Sequence, residues 1–349
     1  MEEIPVLMKK LFGFSCLFLA LSFGVVAQTN VDPIAENMLI YQRSYGGWPK
    51  AIGGKKVSYE KAPSEAEKGK IRAGVNSEDG TFDNKATTRE IEYLVKAFKK
   101  TGNQNYLQAA EKGIDYLLKA QYPNGGWPQY YPAKSLYRGQ VTFNDNAMVN
   151  VLNILQDIAL KENDFEAVNA KYIPLAKAAV EKGVSCILKT QVKVDGKLTA
   201  WAAQYDEKSL EPAKARAFEP ASLSSAESVG IVLFLMRLSD PSPEVKTAIN
   251  AAMSWFEKVK IEGYTTKDVQ DATQPTGKDR LVVTDPGAKV WARFYDINSF
   301  KPIFIGRDAV IRYTLAEIDN ERRVGYAWYG VWPQKLFEKN YLKWKKLHG

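Results

Sequence analysis

The only histidine is His348, beside the C-terminus, and the only cysteines are Cys16 and Cys186. That excludes Ser-His-Asp and Cys-His chemistry and zinc held by His or Cys ligands. Acids, bases and electrophiles must come from Asp, Glu, Lys, Arg and Tyr. Two stretches place such groups in a repeated pattern. TFDNKATTREIEYL from Thr81 and TFNDNAMVNVL from Thr142 each set an Asp beside an Asn just ahead of an apolar helix: Asp83 with Asn84, and Asp145 with Asn144 and Asn146. Alone, either reads as a helix cap, for which Asp and Asn are preferred. Two matched sites on one rim supply carboxylate and amide oxygens suited to a hard cation such as calcium, although neither is an EF-hand loop.

A third helix start, within ARAFEPASLSSAESVGIVLFL, lacks the Asp-Asn pair and has Arg216 and Glu219 just upstream. By default Arg216 is a surface arginine of a linker, and Glu227 completes a capping box with Ser224. Glu90, Glu227 and Glu317 read as helix-surface or capping residues without a role in chemistry.

Between Asp285 and Tyr313, aromatic rings alternate with Lys289, Arg293, Lys301, Arg307 and Arg312. Arginine forks match carboxylates, and rings give flat apolar walls. A polymer with one carboxylate per sugar ring would present both faces. The alternative is a Trp/Tyr-rich core with arginines at its rim. The net charge of +8 favours anionic partners, but no nucleic-acid recognition module is visible.

These groups need a scaffold, and the chain supplies a repeat. Residues 1–27 stand apart: Lys9 and Lys10 precede an apolar run from Leu11 to Val26 ending in Val25-Val26-Ala27, the pattern of a cleaved signal peptide. Residues 28–349 then form one domain of an exported, periplasmic or secreted monomer with no retained membrane segment. Cys186 alone remains, so no intrachain disulfide can form. Amphipathic helices recur at Ile91–Phe98, Met148–Ala159 and Val229–Met236, with second helices at Tyr106–Ala120 and Ile173–Thr190. Their ends are related: LIYQRSYGGWPK from Leu39, LLKAQ before YPNGGWPQ, ILKTQ before WAAQ, and a later copy ending in WYGVWPQ at Trp328–Gln334. Stacked helical hairpins closing into an α/α toroid fit this period, with the Trp loops lining a shared groove. Two stretches fall outside it: a polar insertion at Ala51–Asp79, and Gly263–Thr284, which reads as a loop entering a short extended segment. Trp48, Trp127, Tyr130 and Tyr131 divide between core packing and subsite walls, with packing the larger share.

Taken together, the chain resembles the family 10 polysaccharide lyases, which are pectate lyases. YGGWPK at Tyr45, TFDNKAT at Thr81, NGGWPQYYP at Asn124, TFNDNAM at Thr142, ARAFEPASLSSAESVGI at Ala215 and WARFYDINSFKPIFIGRDAVIRYTLAEIDNERRVGYAWYG at Trp291 carry the likeness in order. The resemblance implies an all-α, incomplete α/α toroid and calcium-dependent β-elimination on polygalacturonate. It implies metal ligands at Asp83 and Asp145, and substrate contacts at Asp83, Asn84, Asn146, Arg293 and Arg307. It implies Arg216 as the base, a role that requires a setting that lowers its pKa from an ordinary value above ~12. Two rivals stay open: a glycoside hydrolase using Asp83 and Asp145 as acid and base, and a non-catalytic acidic-glycan-binding protein.

Overall fold

The computed structural model describes Met1, Glu2 and residues 31–349. Apart from Met1 and Glu2, the expected leader lies outside the described residues. Among the described residues, eight helices build the scaffold: α1 (Pro33–Tyr41), α2 (Glu65–Ala73), α3 (Thr88–Thr101), α4 (Gln104–Ala120), α5 (Ala147–Leu160), α6 (Tyr172–Thr190), α7 (Ser225–Leu235) and α8 (Pro243–Lys258). The short α9 (Asn320–Gly325) and α10 (Tyr341–His348) follow.

The pattern of apolar residues sets the packing. In α3, Ile91, Leu94 and Val95 are buried while Lys96, Lys99 and Lys100 face solvent, as helical spacing requires. The helix stops at Gly102, whose φ of +73° is accessible to glycine at little cost and whose N–H donates to the Phe98 carbonyl at 2.8 Å. Helix α5 buries Met148, Val149, Val151, Leu152, Ile154, Leu155 and Ile158, more than one face, so it must lie between other elements. It does: α3 packs on α4, α5 on α6 and α7 on α8, while α5 also touches α3 and α7, and α6 touches α4 and α8. One row of helices thus carries the helix starts singled out above, and a second row backs it.

Tryptophan stitches these pairs together. The Nε1–H of Trp48 donates to Met38 O, Trp127 to Leu117 O, Trp201 to Ile187 O and Trp291 to Phe256 O, each at 2.8 Å. All four rings are essentially fully buried. Each contributes roughly 5 kcal/mol of transfer free energy before ordering costs, so the loops are welded to the preceding helix. A glutamine closes each of the first three units: Gln42 Nε2 donates to Gly46 O and Ala109 O, Gln121 Nε2 to Gly125 O and Ala179 O, and Gln191 Nε2 to Thr199 O and Ala248 O. The glycines follow from this close approach. Gly46 and Gly125 have φ of +105° and +93°, and a Cβ there would meet the carbonyl oxygens of Lys112 and Lys182 at 2.2 and 2.0 Å.

The structure corrects the sequence reading in two places. The fourth unit ends at Trp291, in WARFYD, and not in WYGVWPQ; the Trp328 indole instead donates to Arg322 O inside a second small core with Phe294, Phe304 and Ile305. Residues 263–284 do enter an extended segment, but it is long and the loop is confined to residues 271–277. Ile261–Gln270 pairs antiparallel with Lys278–Ala292, and Tyr329–Gly330 adds a third strand. The Ala51–Asp79 insertion holds a two-residue hairpin and α2, whose start has the Ser64–Glu67 capping box.

Candidate active site

Each helix start is laced to a Trp loop of the next unit. Thr81 bridges to Tyr130, Val141–Thr142 pairs with Gln204–Tyr205, and Leu223–Ser224 pairs with Phe294–Tyr295. The backbone bonds are equivalent too: Phe82 N donates to Gln129 O, Phe143 N to Ala203 O and Ser225 N to Arg293 O. This lacing draws the three starts of α3, α5 and α7 to one rim. Asn84, Asp145 and Asn146 all lie in the left-handed region, with φ of +52°, +53° and +58°. Asn and Asp tolerate it better than other side-chain-bearing residues, and such clusters mark functional sites.

Asp83 is buried. Its Oδ1 accepts from Asn84 Nδ2 at 2.9 Å, its backbone N–H donates to Thr81 Oγ1 at 3.0 Å, and Lys50 Nζ bonds its Oδ2. Asp145 is more open, with 38% of its side chain exposed. Its Oδ2 accepts from Asn144 Nδ2 at 2.9 Å, and Arg293 Nη2 lies 3.9 Å from its Oδ1. Burial first, and then the neighbouring charge of Asp83, push the Asp145 carboxyl up to about 6 against the pull of Arg293. Asn146 Oδ1 is buried without a hydrogen-bond partner, and a Cβ on Gly230 would come within 2.1 Å of it. Only glycine at that turn of α7 leaves the amide its place.

Arg293 closes the cluster. Its guanidinium stacks over Tyr326, 5.1 Å from the ring centroid, and Nη2 binds Glu227 Oε1. Burial works against its charge, but Glu227, Tyr326 and Asp145 more than offset this and hold its pKa above the ordinary value.

The reading of Glu227 as a cap is overturned: it is 3% exposed, takes a hydrogen bond from Ser224 Oγ, and Ser224 makes no capping bond to the backbone. Glu90 is likewise no surface residue. It is fully buried, accepts from the Tyr59 hydroxyl at 2.8 Å and pairs with Arg89.

Arg216 and Arg307 sit apart from this cluster. Arg216 keeps half of its side chain exposed, bonds Glu219 Oε1 at 3.2 Å and lies over Tyr137 at 5.8 Å. Burial lowers its pKa, but the Tyr137 hydroxyl, Glu219 and Asp83 outweigh that and leave it above the ordinary value. The lowering that a base role calls for is therefore not supplied by these groups. Arg307 forks onto Glu321 at 2.9 and 3.1 Å, is 53% exposed, and stacks over Phe218 at 4.7 Å. Arg216 lies close enough to Arg307 that its charge opposes that of Arg307. No group of three or more Asp, Glu, His or Cys side chains able to hold a metal occurs among the described residues. Trp48 and Trp127 are core residues, whereas Tyr130 and Tyr131 are half-buried.

Three residues at the site escaped the sequence reading: Lys50, Glu227 and Tyr326. Lys50 carried a signal, because it stands two residues after Trp48 as Arg293 stands two after Trp291.

Known proteins resemble this chain in sequence and fold. The family model for pectic acid lyase matches residues 42–337. Among solved structures, a family 10 polysaccharide lyase from Cellvibrio cellulosa is 35% identical, with a TM-score of 0.75 over 87% of this chain and 90% of that one. A mutant of the Cellvibrio cellulosa family 10 enzyme in complex with trigalacturonic acid is 34% identical, with a TM-score of 0.78 over 93% of this chain and 95% of that one. No curated protein matches significantly. With the match spanning most of its length, the chain belongs to the pectic acid lyase family and is a polysaccharide lyase of family 10.

Proposed function

We infer that this chain is an exported pectate lyase. It cleaves polygalacturonate by calcium-dependent β-elimination and releases 4,5-unsaturated oligogalacturonates. The observation that carries this reading is the meeting of Asp83 and Asp145 at one rim with Arg293 3.9 Å from Asp145, in a chain of this family. The Cellvibrio relative that holds trigalacturonic acid supports the substrate class. The two rows of paired helices support an incomplete α/α toroid as the scaffold, and the apolar run after Lys9 and Lys10 supports export. No described helix is long and apolar enough to cross a membrane.

Elimination removes the C5 proton of a galacturonate, forms the C4–C5 double bond and expels the C4 oxygen. The adjacent carboxylate resists the charge that builds during proton removal, so the site must neutralise it. The donor set fits calcium: two adjacent carboxylates, an orphaned amide oxygen on Asn146, and a repulsion between Asp83 and Asp145 that a dication relieves. When bound there by Asp83 and Asp145, calcium supplies charge neutralisation for the sugar carboxylate. Arg293, held rigid by Glu227 and Tyr326, presents its remaining N–H edge to the same carboxylate. Arg307 grips a neighbouring uronate by exchanging Glu321 for it. Arg216 takes the C5 proton, a role that favours alkaline pH and that requires the bound site to lower its pKa from the raised value that Tyr137, Glu219 and Asp83 give it here.

The test is ultraviolet absorbance on polygalacturonate at alkaline pH, with calcium and then with chelator. A rise abolished by chelator, and by Arg216→Ala while oligogalacturonate binding persists, is the expected result. Reducing ends without absorbance would instead assign hydrolysis to the two aspartates.

A further inference from the structure

The loop Tyr130–Arg138 joins the site at the first helix start. Its base is sewn to the first helix start: Thr81 Oγ1 donates to Gln129 O at 2.7 Å, and Gln129 N and Tyr130 N both donate to Arg138 O, at 3.0 and 3.2 Å. One end of the loop brings Tyr137 under Arg216 at 5.8 Å. At the other, Tyr130 lies between two cations, with Lys50 Nζ 5.9 Å and Arg138 Cζ 4.7 Å from its ring centroid. The two ends meet at the base of the loop, which thus reaches Arg216 through Tyr137 and Lys50, the partner of Asp83, through Tyr130.

Its cations differ from three arginines of the region in what they face. Arg307, Arg312 and Arg293 each have a carboxylate of the chain itself, in Glu321, Asp308 and Glu227. Among the described residues, Arg138 has no carboxylate within 4.0 Å, and it is exposed. Lys134 of the same loop shares that state, lying over Tyr122 at 4.4 Å and Tyr131 at 5.2 Å. A guanidinium stacked on an aromatic face has its plane set and its N–H edge free, which is the geometry that receives a carboxylate with two parallel bonds.

We propose that Arg138, oriented by Tyr130 and supported by Lys50 and Lys134, forms an additional subsite that binds the carboxylate of a uronate flanking the one that reacts. The proposal rests on the acidic-glycan reading of the site and names where the polymer continues. In this arrangement Lys50 answers to two carboxylates, that of Asp83 and that of the incoming sugar. The exposed Arg138 supports no core contact, so its removal reads on binding and not on folding.

The experiment compares the parent enzyme with Arg138→Ala and Arg138→Lys on polygalacturonate, and measures hexagalacturonate binding by calorimetry in Arg216→Ala protein with and without Arg138→Ala. Loss of a charge-assisted fork should raise KM about tenfold and weaken Kd by the same factor, with partial recovery in the lysine variant. KM and Kd within twofold of the parent proteins would overturn the subsite. If the parent made no unsaturated product, the lyase reading would fail by itself. The calorimetric comparison would still decide whether Arg138 binds a uronate.

Discussion

Glu227 reaches out of the first turn of α7 to bind Arg293 Nη2 with one carboxylate oxygen while its other oxygen accepts a hydrogen bond from the Ser224 hydroxyl. The pair is nearly dry, at 3% and 14% side-chain exposure, so each charge depends on the other. A buried charge that loses its partner costs about 3 kcal/mol. Glu227→Ala should therefore lower unfolding free energy in urea by about that amount. It should also cut kcat/KM by at least ~10-fold, because Arg293 then swings toward Asp145 and occupies it. Unchanged stability and turnover would mean that the ion pair is ornamental.

Asp145 gives the second expectation. Its carboxyl is raised to about 6, by burial and then by Asp83, so folding with it ionised is unfavourable. The folded chain binds more protons here than the unfolded chain between an ordinary aspartate value of ~4 and the folded value. This group's contribution therefore falls as pH rises through that window and stays unfavourable above it. Without calcium, Asp145→Asn should raise Tm at neutral and alkaline pH and leave it unchanged at low pH. Calcium affinity of the parent should fall as pH drops through 6, because a proton then competes for the ligand. A calcium titration by calorimetry at pH 5 and pH 8 distinguishes this from a pH-independent site.

Much of this site could be read from residue types. Asp83, Asp145 and Arg293 stand in segments whose composition already suggested a cation and an acid polymer, and the structure brings them to one rim. Helices α3 to α6 follow the apolar spacing closely. Glu227 was not legible because Ser-x-x-Glu ahead of an apolar run is also the sequence of a capping box, and only the position of Arg293, 66 residues away, decides between them. The fourth repeat unit was obscured for a different reason. Trp291 is reached through a long strand, with Lys289 and Val290 where Gly46-Gly47 and Gly125-Gly126 stand earlier, so the Gly-Gly-Trp signal is missing while the indole bond persists.

The welded Trp loops predict a stability effect far from the chemistry. At Gly125 the backbone φ is +93° and a methyl group would sit 2.0 Å from Lys182 O, so alanine meets both strain and a backbone collision. Gly125→Ala should destabilise the chain by about 3 kcal/mol or more. Gly53, with φ of +56° and open space around it, is the control, and alanine there should cost about 1 kcal/mol. Urea unfolding of both variants measures the difference.

Arg216 and Glu219 yield the most specific kinetic expectation. The two are joined at 3.2 Å, and the Glu219 charge is one of the causes that hold the Arg216 guanidinium above its ordinary value, after the Tyr137 hydroxyl. If Arg216 removes the C5 proton, activity rises with the fraction of Arg216 that has lost its own. Glu219→Gln takes away a stabilising negative charge, which lowers that pKa and increases the neutral fraction at any given pH. The ascending limb of the kcat profile should then move to lower pH, and kcat at pH 8 should rise while kcat at the optimum changes little. Tyr137→Phe should move the limb the same way by removing the hydroxyl. A profile that stays in place in both variants would mean that the titrating group is not Arg216, and the proton would have to be assigned to another base.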